Sequence, residues 1–451
     1  MDMWENADAS ARIIEDLGLN WTAAQRYEYL SKVKVVDLPR LDEPYPIDNY
    51  FAAGTPKAKY EWEAYWEGKS LKDPRDNRGL RREIVDVDYS RFRYIIQQDE
   101  SVIFRDAATK EIVLVVLRNF IPNEELRMTM VDTCKEIIKY RRDDRREDPG
   151  MLVHFGYTCG PRHKPQIQMA ACCLALNTEE KQARENRLND DAQGMAGIMW
   201  NLMRSRLPPE IIADYNDTIA KNDFPRMDMM KDDGTFTYKV NDEDAIFETG
   251  ENGLELPPPS GLSAINYARY THKEVNGNNW IIACTCNAPD DPTKGGNFYL
   301  ASYGIMMLPA SNTVSAWHPG DHHGTTLYEM MEGKERRAGF EVRQDGGFNT
   351  GLVFEISRSL GGARKKSTWL DERKLGISKH HSEPDMLQDH RLRDDHQDFE
   401  RGRPLIRDRR GSSHRRRTRK LKTRARETKP HFSGSESDSG IILPRIASIR
   451  L

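Results

Sequence analysis

Histidines and acids that could bind a metal gather at three places in the later part of the chain: His272-Lys273-Glu274, His318, and His322-His323-Gly324-Thr325-Thr326. Residues two apart in a β-strand project from the same face, so His272 and Glu274 would present an imidazole and a carboxylate side by side. A second imidazole from a later strand, His323, would complete two histidines and one carboxylate on one side of a metal ion. Such a set leaves the ion's opposite side open and suits non-haem Fe(II). Each piece also has a plainer reading. An H-x-E pair is common in exposed strands, the paired histidines before Gly-Thr could be a solvated loop, and His318, directly before Pro319, reads as a rim residue. Cys284 and Cys286 share a strand face and could bind zinc with nearby histidines, although a packed strand interior accounts for them more simply. The sequence contains no G-x-S-x-G elbow, no Walker A loop and no H-E-x-x-H helix.

Positioning these residues falls to a series of short apolar runs. Thr235–Val240, Ala264–His272, Trp280–Cys286, Phe298–Leu308, Thr313–Trp317 and Gly351–Ile356 all read as strands, punctuated by Pro257-Pro258-Pro259-Ser260-Gly261 and Gly295-Gly296. No helices alternate with them, which argues for a sandwich, jelly roll or barrel and against a parallel α/β sheet. Earlier in the chain, Tyr94–Ile96, Val102–Phe104 and Ile112–Leu117 form a hairpin or meander with a turn at 106–110. A helix starts at Pro122-Asn123-Glu124-Glu125 and runs to about Arg141, with acids in its first turn and bases in its last. A helical block covers roughly 174–221, where Met195, Ile198, Met199, Leu202 and Met203 form a core-facing stripe. Thr22-Ala23-Ala24-Gln25 is a capping box, and Gly18 closes the helix before it. Trp62, Tyr65 and Trp66 lie at helical spacing and would dock a short helix on the body or on a partner.

The chain has 451 residues and a net charge of −3 that conceals two unlike parts. Residues 361–451 carry 24 Lys and Arg against 13 Asp and Glu, whereas the first 360 carry 44 against 58. The tail has few apolar residues and is read as disordered. Eight of the twelve residues at 415–426 are basic, with Arg407, Arg409 and Arg410 just upstream; the run reads as a nuclear-localisation or DNA-phosphate-binding patch. Ser433–Ser439 beside Ile441-Ile442-Leu443 is similar to a motif that binds a ubiquitin-like modifier by strand addition. The longest apolar run, Met169–Leu176, is too short to cross a membrane, and the acidic N-terminus is unlike a secretory or transit signal. Six cysteines without a C-x-x-C pair give no disulfide framework.

The string Ala268-Arg269-Tyr270-Thr271-His272-Lys273-Glu274, then Gly295-Gly296-Asn297-Phe298-Tyr299-Leu300 and Tyr303-Gly304-Ile305, then Trp317 through His323-Gly324-Thr325, resembles the Fe(II)/2-oxoglutarate dioxygenases. It is most similar to their TET/JBP-like branch as found in fungi. The likeness is clear over about 264–330 and extends more loosely over 86–360. It implies an α+β chain with a double-stranded β-helix (jelly roll) core over 86–360, carrying a helical insert at about 174–221. A helical and irregular N-terminal extension would occupy 1–85, and the disordered basic tail 361–451. The resemblance further implies Fe(II) held by His272, Glu274 and His323, with His322 as the substitute if the register differs by one, and 2-oxoglutarate as co-substrate. The expected activity is hydroxylation of a nucleobase such as 5-methylcytosine, in the nucleus, with DNA held partly by the tail. The alternative is a catalytically impaired oxygenase-fold interaction module tethered in the nucleus by that tail. Two features depart from the family's pattern. Glu274 stands where Asp is usual, and no arginine cleanly opens the strand after the distal histidine, where the 2-oxoglutarate anchor belongs. That opening falls near Asn349, and of the nearby Arg336, Arg337 and Arg343, the role is assigned to Arg343.

Overall fold

The computed structural model describes residues 3–67, 82–145, 148–159, 167–170, 172–173, 176–228, 233–250, 253–330 and 349–363. All of these lie in one compact unit, Met1–Ser378. Arg336, Arg337 and Arg343, the tail's basic run and Ile441-Ile442-Leu443 lie outside the described residues.

The N-terminal part begins with α1 (Met3–Leu17) and α2 (Ala23–Ser31). The capping box forms: Thr22 Oγ1 accepts from the Gln25 amide at 3.3 Å, and Gln25 Oε1 accepts from the Thr22 amide at 2.8 Å. Next come β1 (Lys34–Leu38), β2 (Phe51–Ala53), α3 (Pro56–Trp66), β3 (Ile84–Asp86), β4 (Tyr94–Ile96), β5 (Val102–Asp106) and β6 (Ile112–Arg118). Residues 34–38, within the stretch assigned to the extension, run parallel to β5 and join the main sheet. The expected meander is divided: β5 and β6 form the hairpin, while β4 pairs with a different sheet.

Helix α4 (Glu124–Tyr140) starts where Asn123 accepts from the Leu126 amide at 2.8 Å, with Glu124 and Glu125 in its first turn. After β7 (Met151–Thr158) and β8 (Gln168–Met169), the helical block resolves into α5 (Glu179–Arg206) and α6 (Pro209–Asn222), broken at Pro208-Pro209. The five stripe residues of α5 are all buried. Strands β9 (Thr235–Val240) and β10 (Glu243–Glu248) form a separate hairpin turning through Asn241 and Asp242, both at positive φ. Thr235–Val240 is therefore not one of the main-sheet strands. It packs on α5 so closely that a Cβ at Gly194 would come within 2.0 Å of the Thr237 carbonyl oxygen.

The remaining strands are β11 (Ser260–Ile265), β12 (Ile281–Asn287), β13 (Phe298–Leu300), β14 (Ile305–Met307), β15 (Thr313–Trp317), β16 (His323–Thr325) and β17 (Thr350–Phe354). The run expected as one strand at 298–308 is the β13–β14 hairpin, turned at Gly304 with φ +65°. From residue 260 onward the pairings nest. β11 pairs with β17, the segment at His272 bridges to β16, β12 pairs with β15, and β13 with β14, all antiparallel. The product is a nine-stranded sheet in the order β1-β5-β6-β15-β12-β17-β11-β7-β8, faced by a smaller sheet in the order β16-β13-β14-β4.

Alternation along each strand decides what lies between the sheets. Leu114, Val116, Ile281 and Trp317 face Leu300, Ile305 and Met307 of the smaller sheet. Val115, Leu117, Ile282, Val314, Leu352 and Phe354 point the other way, into a core shared with α4, α5 and α6. Burial on both faces is why β6 reads as an unbroken apolar run. No helix among the described residues is long and apolar enough to cross a membrane.

Candidate metal centre and its cavity

His272 and His323 form a hydrogen-bonded antiparallel pair: the His272 amide donates to the His323 carbonyl at 2.9 Å, and the reverse bond is 2.8 Å. Residues so paired face the same side, and the two imidazole centroids are 4.5 Å apart. Glu274, two residues on, is fixed by its amide donating to the Pro319 carbonyl at 2.8 Å. Its Oε1 lies 3.9 Å from His323 Nε2. One ligand atom from each of the three residues falls within a 4.8 Å set, the one such group among the described residues.

The surroundings leave free the nitrogens that a metal ion would need. His272 Nδ1 lies 2.9 Å from the Tyr270 carbonyl, and His323 Nδ1 lies 2.8 Å from the Asp321 carbonyl. A carbonyl can only accept, so each Nδ1 carries the hydrogen and each Nε2 keeps its lone pair. Burial lowers both imidazoles' pKa values; His323 and Arg269 lower His272 further, while Glu274 partly offsets the effect at His323. Two neutral imidazoles and one carboxylate on one side are a donor set that fits a divalent transition-metal ion.

Packing holds these strands in place. A Cβ at Gly324 would sit 2.3 Å from Tyr299 Oη, so the glycine after the distal histidine admits the buried tyrosine. Tyr299 Oη also shares a 2.9 Å hydrogen bond with Thr271 Oγ1, beside His272. On the other side, Tyr270 stacks edge-on against Phe51, and Phe51 packs on Trp66. Trp62 donates to the Tyr328 carbonyl at 2.8 Å. Helix α3 therefore docks on the body, its buried tryptophans bracing the strands that carry the triad.

The other sequence candidates have different positions. His318 stacks on Trp280 and spends its two nitrogens on the Asn279 and Ile112 carbonyls, at 2.9 and 3.0 Å. His322 Nε2 lies 3.8 Å from Asp48, outside the triad. Cys284 and Cys286 are buried with their sulfurs 3.8 Å apart, packed towards α4. They share no metal cluster with histidine among the described residues.

A cavity of about 210 Å³ runs from the triad along the inner face of the large sheet. It is lined by small residues such as Gly351, Ala264 and Ala283 on that sheet, with Phe298 opposite. Three guanidiniums reach it, and they differ. Arg269 is neutralised by Asp148 at 2.5 Å. Arg145 is half-buried, and its guanidinium makes no hydrogen bond or ion pair among the described residues. Arg118, only 5% exposed, donates to Thr313 Oγ1 and to the Gln97 and Leu308 carbonyls, each at 2.9 Å. Its buried Nε has no partner, and burial lowers its pKa to about 10. Glu355 also lines the cavity; burial, and then Glu274, raise its pKa to about 8. Neither Arg118 nor Glu355 stands out as a site residue in the sequence. The available signal is a charged residue ending an apolar strand at an inward-facing position.

No protein-family model matches this sequence, and no curated protein matches it. Solved structures similar to it include NgTET1 in complex with 5mC DNA, at 13% identity and a TM-score of 0.34, over 62% of this chain and 90% of that one. A 2OG-Fe(II) oxygenase-family oxidoreductase from Burkholderia pseudomallei has 12% identity and a TM-score of 0.26, over 54% of this chain and 84% of the other. OsALKBH1 has 10% identity and a TM-score of 0.24, over 54% and 96%. The overlaps are partial, and the site is defined by its own geometry.

Proposed function

We propose that this chain is an Fe(II)/2-oxoglutarate-dependent dioxygenase built on a double-stranded β-helix, hydroxylating a nucleobase such as 5-methylcytosine. The observation that carries the reading is the triad: His272 and His323 with both Nε2 lone pairs freed by Nδ1 bonds to carbonyls, and Glu274 beside them. An interaction-only body would have no use for two such imidazoles, neither of which spends its Nε2 on a hydrogen bond within the described protein. Fe(II) with 2-oxoglutarate would supply the activation of O2, one oxygen atom entering the substrate C–H bond and the other the succinate formed with CO2.

The chain's own residues bind and orient. The Tyr270 and Asp321 carbonyls hold the ring tautomers, and Phe298 and Trp317 flank His323 and keep water from that side. Glu274 reaches the site despite being one methylene longer than the family's usual aspartate. A nucleobase in a duplex would have to flip out to enter the cavity. Residues 86–360 carry 31 basic against 42 acidic side chains, so phosphate contacts would fall to local groups such as Arg145 and to the tail. The same basic run would direct the chain to the nucleus.

The test is turnover by the full chain, reconstituted anaerobically with Fe(II) and given 2-oxoglutarate, O2 and oligonucleotides that differ only in 5-methylcytosine. The expected result is a mass increase of one oxygen on the methylated strand with matching succinate. Succinate without base oxidation would reject the nucleobase, and neither product would reject the enzyme.

A further inference from the structure

We propose that Arg118 is the anion anchor of the cavity and holds the carboxylate of 2-oxoglutarate that lies farther from the metal. The inference rests on the oxygenase reading of the site and identifies what selects the co-substrate.

Register carries the argument. Arg118 lies opposite Thr313, Thr313 opposite Thr285, Thr285 opposite Gly351, and Gly351 opposite Ala264, in one row across four antiparallel pairings. Directly opposed residues share a face, so Arg118 enters the same trough as Gly351 and Ala264, while Leu117 beside it faces the helices. The next row is Val116, Ser315, Ala283 and Val353. Small side chains thus floor the space between Arg118 and the triad, leaving room for an extended five-carbon diacid.

Electrostatics points the same way. A guanidinium this deeply buried is costly unless paired, yet the hydrogen bonds of Arg118 go only to neutral acceptors, and the carboxylates of Glu100 and Asp99 offset its burial from a distance without forming an ion pair among the described residues. Its buried Nε is an orphan donor, and such groups in native structures need an explanation. A ligand carboxylate reaching the guanidinium would supply a contacting negative charge and an acceptor for the orphan Nε hydrogen. The strand after the distal histidine cannot do this from its described cavity-lining positions, which are Asn349, Gly351, Leu352, Val353 and Glu355. The positive charge comes instead from β6, three strands away across the sheet.

The experiment loads the full chain with Mn(II), follows metal uptake by electron paramagnetic resonance, and measures binding of 2-oxoglutarate and of 2-oxopentanoate, which lacks the far carboxylate, by calorimetry. The wild type should prefer the diacid by about 10- to 150-fold, the range a charged hydrogen bond supplies. Arg118→Met should lose that preference while keeping Mn(II) and its affinity for 2-oxopentanoate, and Arg118→Lys should keep part of it. Equal binding of the two acids by the wild type would overturn the proposal without any variant. So would an Arg118→Met protein that keeps the preference, or one that binds Mn(II) but loses both acids equally, which would mark a purely structural arginine. A wild type that takes up no Mn(II) would overturn the metal-site reading and this inference with it.

Discussion

The hydrogen on each Nδ1 decides whether the two imidazoles can act as ligands. Both protons are committed to carbonyls two residues earlier in the chain, those of Tyr270 and Asp321, so removing either ring takes away a donor that nothing nearby replaces. Glu274→Ala should likewise abolish metal retention, whereas Glu274→Asp, which keeps a carboxylate one methylene shorter, should keep metal and turnover; retained metal in Glu274→Ala would remove the carboxylate from the site. Glu355 gives a pH test in the metal-free protein. Its pKa is raised in the fold from the ordinary 4.5 to about 8, so its contribution to stability is fully present below about pH 4.5 and is lost as pH rises through about 8. Glu355→Gln should therefore become progressively more stable than the wild type across that window, and parallel denaturation midpoints from pH 5 to 8 would contradict the assignment. The triad is legible in sequence because i, i+2 spacing places two ligands on one face and the third closes a Gly-Thr motif. Arg118 is not, because its meaning depends on which of two buried faces it enters, and that is set by pairing with strands about 200 residues later.

Gly324 and α3 show how neighbouring segments hold the ligand strands. Gly324→Ala would drive a methyl group into Tyr299 Oη, costing about 1–3 kcal/mol as overpacking does and pushing the His323 strand away from His272. The check is a fall in both denaturation midpoint and Mn(II) affinity; a fall in neither would show that Tyr299 gives way freely. Trp62→Ala removes a side chain only 1% exposed that packs on Trp66 and Tyr328, with an expected loss of about 3–5 kcal/mol measured by denaturant unfolding. Helices α2 and α4 are readable from their caps, because capping is a contact within a few residues. The destinations of β1 and β4 are not readable, since short apolar runs of similar composition join different sheets through partners remote in sequence. The hairpin β9–β10 has the strand pattern of its neighbours, and only its fit against Gly194 and Gly197 of α5 removes it from the main sheet.

The nested pairing of β11 to β17 gathers most of the cavity's lining, while the chain before it adds Arg118, Arg145 and Leu152, covers the outer face and braces the triad. The charge divides differently, with an acidic body joined to a tail carrying 24 basic against 13 acidic residues. If the tail supplies phosphate contacts, deleting 405–430 should reduce DNA affinity and flatten its salt dependence, while co-substrate turnover without DNA stays unchanged. Binding with the same salt slope after deletion would place the contacts on the body. The central claim is that His272, Glu274 and His323 form a single metal centre. Its most direct test is the Fe(II) content of anaerobically reconstituted, desalted full-length chain beside its His272→Ala and His323→Ala variants. One ion per chain in the wild type and none in either variant is the predicted result; no retained iron, or the same iron in all three proteins, would contradict it.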